Sequence, residues 1–285
     1  MPATTAHQGA LRLTDWGLIR AQGPDAASFL HGQLTQDTNS LRTGTARLAG
    51  YCSPKGRLLA SFIVWRGDAD TVYLACSADL LAPTLKRLSM FVLRAKCKLT
   101  DASANLPLYG LAGTASAAWL GDAAPAAAWA SASLGTGQVI RLPDVDGTPR
   151  WLLAQPADAP APALPALPAD AWAALEVRSG VVRITAATVE QFVPQMVNLE
   201  LVGGVNFQKG CYPGQEVVAR SQYRGTLKRR SLVFHSAAPL AVGQEVFHSD
   251  DPAQPAGLVA LAAPRAGGGS SALVEIKVAA LETGS

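Results

Sequence analysis

Lys209-Gly210-Cys211-Tyr212-Pro213-Gly214-Gln215-Glu216 is the most informative stretch of this 285-residue chain. Gly210 and the Tyr212-Pro213-Gly214 bend put Cys211 on a tight turn, displayed rather than packed in a core. Lys209 lies two residues before the thiol, and Arg220 and Arg224 follow it. A displayed cysteine among cations is a candidate reactive thiol. Gln215 and Glu216 add polar groups that can orient a neighbour or accept hydrogen bonds. Upstream, Gly203-Gly204 allows another sharp turn or a close backbone approach. The plainer reading makes Cys211 a small turn residue; the packed glycines and flanking cations weigh against it.

The rest of the composition limits what this thiol can belong to. Hydrophobic residues make up 49% and charged residues 16%, so the chain can bury enough apolar surface to fold. Its length suits two or three packed units. A net charge of +3 permits an anionic ligand but is weaker than a dedicated nucleic-acid binder carries. The other cysteines, Cys52, Cys76 and Cys97, stand far apart with no C-x-x-C spacing, which argues against a self-contained zinc or iron–sulfur site. Cys76 and Cys97 read as buried small hydrophobes. No basic-then-apolar leader opens the sequence, and Leu58 to Trp65 falls far short of the ~20 residues that span a bilayer. A cytoplasmic, reduced protein is expected, with no membrane partner.

Working outward, Leu11 to Arg20 reads as a half-buried strand. Gly23-Pro24-Asp25 reads as the start of a helix carrying Phe29, Leu30 and Leu34 inward. Gly44 to Trp65 reads as a hairpin turning at Ser53-Pro54-Lys55-Gly56, and Thr71–Cys76 as a strand. Asp79 is placed to cap a helix with Leu81, Leu85, Leu88 and Val92 on one stripe. Strands are predicted near Lys96–Thr100 and Leu106–Leu111, and a short helix over Ala115–Leu120. A second hairpin turns at Asp146-Gly147 between Gln138–Leu142 and Arg150–Ala154. Five prolines between Gln155 and Pro168 forbid a regular helix there. Asp170 then caps a helix with Trp172 and Leu175. From Ser231 the pattern is all β, with strands at Ser231–His235, Gln244–His248, Gly257–Ala262 and Ala272–Ala280.

The signature octapeptide, with Phe192-Val-Pro-Gln-Met-Val-Asn-Leu before it and Tyr223-Arg224-Gly225 and Lys228-Arg229-Arg230 after it, closely resembles the YgfZ family. That family shares the folate-binding fold of the glycine-cleavage T-protein, GcvT. Phe29-Leu-His-Gly-Gln-Leu-Thr-Gln-Asp37, Pro54-Lys55-Gly56-Arg57 and Gly180-Val-Val-Arg-Ile184 resemble further family segments, so the likeness spans most of residues 11 to 230. It implies an α+β, three-part ring of two α/β units, one ferredoxin-like, and a C-terminal β-barrel. The folate-binding region is expected over 1–230, its ferredoxin-like part roughly 101–168, and the barrel over 231–285.

The resemblance further implies a tetrahydrofolate-type ligand contacted by Trp16 and Trp172, with Gln195, Asn198, Tyr212, Gln215, Glu216, Arg220 and Arg224 as further binding residues. Some of Arg220, Arg224, Lys228, Arg229 and Arg230 would meet the glutamate tail, an acidic partner or RNA phosphate; the alternative is a solvated basic face. The implied role is accessory: iron–sulfur cluster assembly or repair, in support of tRNA-modifying radical-SAM enzymes, with Cys211 as functional thiol beside Lys209. No stable metal is expected. One cysteine cannot hold a cluster that takes four thiolates, so any cluster is transient and shared with a client. Direct nucleic-acid contact is not expected.

Two enzymes rival this reading. An aminomethyltransferase of the T-protein kind resembles its relatives at a Gly-x-x-x-Asp-Asp strand, whose carboxylate serves the folate amine. Here the corresponding positions are Ala60 and Ser61, which cannot ionise, and a positioned acid or base supplies ~10²–10⁴-fold in rate. A cysteine-nucleophile enzyme would pair Cys211 with His31 or His235, but no hydrolase signature surrounds either. The protein is therefore not read as a classical enzyme; if enzymatic, it would be a folate-dependent transferase.

Overall fold

The computed structural model describes residues 7–223 and 227–281. Leu11 to Arg20 is not one strand. β1 (Gly9–Arg12) and β2 (Trp16–Gln22) lie in different sheets, and the break at Leu13-Thr14-Asp15 carries the chain from one to the other. α1 (Ala26–His31) begins where Pro24 and Asp25 predict, with Asp25 O accepting from Phe29 N at 2.8 Å. It ends before Leu34. Gly32 follows the helix, and Leu34 is instead buried in a bridge to Tyr51.

β3 (Ala46–Cys52) and β4 (Leu58–Asp68) form the predicted hairpin. Its turn closes through Ser53 N to Arg57 O and Gly56 N to Ser53 O, both 2.8 Å. β5 (Thr71–Ser77) leads into α2 (Ala78–Met90). The cap position of α2 is Ser77, which makes no side-chain capping bond to the helix, and Asp79 lies inside the first turn; Val92 falls beyond the helix end. With β6 (Lys98–Asp101), these strands make a sheet of order β3-β4-β5-β2-β6.

The second sheet gathers β7 (Leu108–Ala112), β8 (Ser131–Leu134), β9 (Gly137–Val145) and β10 (Thr148–Ala154) in the order β1-β7-β10-β9-β8. α3 (Gly113–Leu120) covers it, and Leu111, Leu120, Val139, Trp151 and Leu153 fill the space between. The proline-rich segment is irregular, as its composition requires. α4 (Ala169–Arg178) follows, with Asp170 in its first turn.

α5 (Gln215–Tyr223) starts within the signature octapeptide. The C-terminal module is an antiparallel sheet of β11 (Arg229–Ser236), β12 (Glu245–His248), β13 (Asp251–Pro264) and β14 (Ser270–Lys277), in the order β11-β14-β13-β12. Bulges in β12 and β13 bend the strands toward a barrel-like curl, and Val259, Ala272 and Val274 form its core. Val278–Leu281 is a 3₁₀ turn, so β14 stops short of the predicted Ala280.

By contact the chain divides into two compact units. The first takes in the described residues up to His31, with Thr38–Arg47 and Phe62–Trp172. The second takes in Gly32–Asp37, Leu48–Ser61 and the described residues from Ala173 on, including the C-terminal sheet.

Candidate functional site

Three segments distant in sequence meet in the second unit: Gly32–Asp37, the Ser53–Arg57 turn and Gly203–Glu216. Thr35 is fully buried and clamps two of its neighbours. Its hydroxyl donates to Gly204 O at 2.6 Å and accepts from Gly50 N at 2.7 Å. Gln36 Nε2 donates to Gly203 O at 2.6 Å, and Asn206 N donates to Thr35 O at 2.9 Å. The glycine pair thus presents its carbonyls to side chains of the Gln-Leu-Thr-Gln segment.

Lys209 extends the same contact. Its Nζ donates to Leu34 O at 2.9 Å and lies 4.7 Å from the centre of the Tyr212 ring, and the residue is only 9% exposed. Burial pulls its pKa down to about 8, opposed by the negative charges of Asp37 and of Cys211 when ionised. Tyr212 is buried, which pushes its phenol upward, and the thiol of Cys52 beside it adds to that effect. Cys52 itself is enclosed, and burial raises its thiol to about 12, so it stays protonated at neutral pH.

Gly214 explains the end of the octapeptide. Its φ is +78°, and a Cβ there would sit 2.4 Å from Ser53 O and 2.7 Å from Gly56 Cα. Gly56, at φ +71°, faces the same segment: its Cβ would sit 2.7 Å from the Val217 side chain and 3.2 Å from Gly214 O. The hairpin turn and the start of α5 therefore touch backbone to backbone, which only glycine on both sides allows. Cys211 stands just ahead of this contact and is exposed. The bend is held from both flanks, by Lys209 before it and Gly214 after it.

Gln195 and Asn198 lie behind this bend. Gln195 is fully enclosed, and its Nε2 donates to Val218 O of α5 at 2.8 Å. Asn198, in left-handed backbone geometry at φ 56°, donates through Nδ2 to Ser231 O at 2.7 Å and accepts from Arg230 at 3.2 Å. Both amides thus tie protein segments together. Arg230 also bonds Gln195 O and forms an ion pair with Glu200, and Arg229 pairs with the buried Glu275 at 2.7 Å. Burial raises the Glu275 carboxyl, opposed by Arg229 and Arg57. Of the predicted basic run, Arg229 and Arg230 are structural ion-pair partners, while Arg220 and Lys228 are exposed. Arg224 lies outside the described residues. Gln215 is half-buried, and Glu216 is exposed in the first turn of α5.

The two tryptophans belong to the first unit. Trp16 lines a cleft of about 270 Å³ with Arg12, Thr14, Ser103 and Leu106. Trp172 is 3% exposed; its ring lies flat on Gly110, and the Arg150 guanidinium is 5.7 Å from its centre. Ala60 is fully buried. Ser61 Oγ accepts from Ile184 N at 2.9 Å and reaches Val182 O at 3.4 Å, so this pair of positions serves packing and backbone anchoring. His235 shares a hydrogen bond with Ser271 at 2.9 Å. Sequence reasoning missed Asp37 and Leu34 as neighbours of Lys209, and Glu200 as the counter-ion of Arg230. The Gly-Gln-Leu-Thr-Gln-Asp run held the signal for the first two.

Among the described residues, no group of three His, Cys, Asp or Glu side chains is placed to hold a metal ion, and no helix is long and apolar enough to cross a membrane. Residues 2–154 match the family model described as GCVT N-terminal domain. The tRNA-modifying protein YgfZ of Edwardsiella ictaluri (strain 93-146) is 38% identical over 230 residues, covering 77% of this chain and 68% of the relative. That of Klebsiella pneumoniae (strain 342) is 34% identical over 232 residues, covering 77% and 69%. The solved glycine cleavage system aminomethyltransferase T from Bartonella henselae superposes with a TM-score of 0.70 at 19% identity, over 97% of this chain and 80% of that one, which shows a shared fold. With its signature segments assembled into one buried scaffold around Cys211 and its relatives matched over most of their length, this chain belongs to the YgfZ family, on the fold of the glycine-cleavage aminomethyltransferases.

Proposed function

We propose that this protein is a folate-binding accessory factor for iron–sulfur cluster assembly or repair that supports tRNA-modifying iron–sulfur enzymes, with Cys211 as its working thiol. The observation that carries the reading is the exposed Cys211 on a bend anchored by Lys209–Leu34 on one side and Gly214–Ser53/Gly56 on the other. A scaffold this constrained holds one thiol in a fixed place while leaving it accessible. One thiolate is a partial ligand set, so a cluster handled here takes its remaining ligands from the client. Lys209 ties the start of the bend to Leu34 O. Four free cysteines suit a reduced cytoplasm.

Folate fits the cleft at Trp16 in part. Its volume of about 270 Å³ lies just below the ~300–1,000 Å³ of small-molecule sites, enough for a ring but not for a whole folate. Trp16 supplies aromatic surface, and Arg12, Thr14 and Ser103 supply polar contacts. Bound tetrahydrofolate would supply one-carbon carrier chemistry. The domain partition at residue 230 belongs to the same proposal.

The fold also favours a second reading, an aminomethyltransferase. Ala60 and Ser61 weigh against it, since neither offers the carboxylate that reaction uses. Purified protein given an aminomethylated carrier and tetrahydrofolate separates the two: turnover would establish the transferase. In cells, Cys211→Ser is expected to abolish support of radical-SAM tRNA methylthiolation while leaving folate binding intact. Normal tRNA modification in that variant would sink the proposed role.

A further inference from the structure

From Leu80 to Thr100 the chain carries five cations and no aspartate or glutamate. α2 turns Leu80, Leu81, Thr84 and Leu88 inward. The large apolar side chains at its end face elsewhere: Met90 is 58% exposed, Phe91 45% and Leu93 85%. Phe91 N and Val92 N close the last turn on Leu88 O and Ser89 O, and Leu93 N bonds Phe91 O at 2.9 Å. These bonds hold the three side chains in one short, ordered turn. A lone exposed leucine needs no explanation, but three large apolar residues within four positions form a patch of the kind that marks an interaction site.

Lys86, Arg94 and Lys96 are exposed around this patch. An apolar centre with a charged rim is the anatomy of a protein interface. The sign of the rim selects an acidic partner and speeds its encounter. RNA phosphate would satisfy the charge but not the aliphatic Met90 and Leu93. Single-stranded RNA also needs open aromatic faces for its bases, and the one ring here, Phe91, has the Arg87 guanidinium 6.0 Å from its centre. We propose that this end of α2 docks an acidic, apolar segment of the iron–sulfur client protein. The inference rests on the accessory reading above.

The test is anaerobic cluster transfer from a cluster-loaded donor protein to a purified apo radical-SAM tRNA methylthiotransferase, promoted by the full chain, with client concentration and salt varied. The variants are Met90→Ser/Leu93→Ser and, separately, Arg94→Glu/Lys96→Glu; both change exposed side chains. Each is expected to raise the KM for client about tenfold or more, with kcat, thermal midpoint and the alkylation rate of Cys211 unchanged. The charge variant's defect should shrink as salt rises. Wild-type KM in both variants overturns the docking site and leaves the accessory reading standing. If wild type does not speed transfer over the donor alone, that reading fails and takes the inference with it. Two other occupants have their own arms. Lost affinity for labelled tRNA at unchanged client KM makes the patch an RNA surface. Self-association of wild type that the variants abolish, again at unchanged KM, makes the occupant a second copy. Either result contradicts the proposal.

Discussion

Lys209 is an amine held where its charge is costly. Its folded pKa of about 8 lies below the unfolded value of 10.5, so between those limits the unfolded chain binds more protons. Stability therefore rises with pH across this window through this group. Cys52, Cys97 and Tyr212 act in the opposite sense, because burial raises all three, and the thiol contributions set in as pH approaches the ordinary thiol value of 9. Comparing wild type with a lysine variant at each pH isolates the lysine, because the thiols and the phenol are common to both proteins. Lys209→Met is expected to lower the slope of unfolding free energy against pH between about 8 and 10 relative to wild type, by urea titration at several pH values. An unchanged slope would mean that the amine is solvated in the folded state. Cys211, by contrast, is exposed and holds nothing together. Cys211→Ser is expected to leave stability within about 0.5 kcal/mol of wild type, so any functional loss is chemical.

Among elements, the hairpin turn and the start of α5 matter most, because their glycines set how closely they approach. Gly214→Ala forces a left-handed backbone on a residue with a side chain and drives its Cβ into Ser53 O. The expected cost is about 3 kcal/mol by denaturant unfolding, with faster and less selective alkylation of Cys211 as its bend loosens. A loss below about 1 kcal/mol would show that the two turns can separate freely. Arg230 joins Pro194–Val197 to β11 through Glu200, Asn198 and Gln195 O. Arg230→Met leaves the Glu200 carboxylate enclosed without its counter-ion, and about 3 kcal/mol should be lost. Adding Glu200→Gln should recover part of that loss; a double variant worse than the single would contradict the assignment. Element types were legible wherever periodicity or turn chemistry was strong, as in α2, the Ser53–Gly56 hairpin and the four C-terminal strands. The misreadings share one cause. Leu13–Asp15 and Gly32–Leu34 are where the chain leaves one sheet or unit for another, and a local pattern does not register the change of partner. Asp79 failed as a cap because Ser77 already occupied that position at the end of β5.

At the scale of the molecule, the family was readable from a handful of contiguous motifs, because glycine pairs and charged turns leave a dense local signature. How those motifs assemble was not. Gly32–Asp37 and Gly203–Glu216 lie about 170 positions apart, and nothing periodic says that Thr35 clamps Gly204. Nor does sequence reveal that Gln195 and Asn198 turn their amides to protein carbonyls, since an asparagine that ties a loop and one that binds a ligand look alike until their partners are placed. The absence of a carboxylate at Ala60 and Ser61 was legible; the use of Ser61 as a backbone anchor was not. What the whole offers is one exposed thiol on an anchored bend in the second unit and an aromatic cleft in the first. The central claim is that the thiol, and not folate-dependent group transfer, does the work. Anaerobic iron–sulfur cluster transfer from a cluster-loaded donor protein to an apo client in the presence of the purified chain, with and without tetrahydrofolate, compares wild type with Cys211→Ser directly against the donor alone as background. The account predicts transfer by wild type, responsive to tetrahydrofolate, and none above background by the serine variant. Equal transfer by both proteins would contradict it.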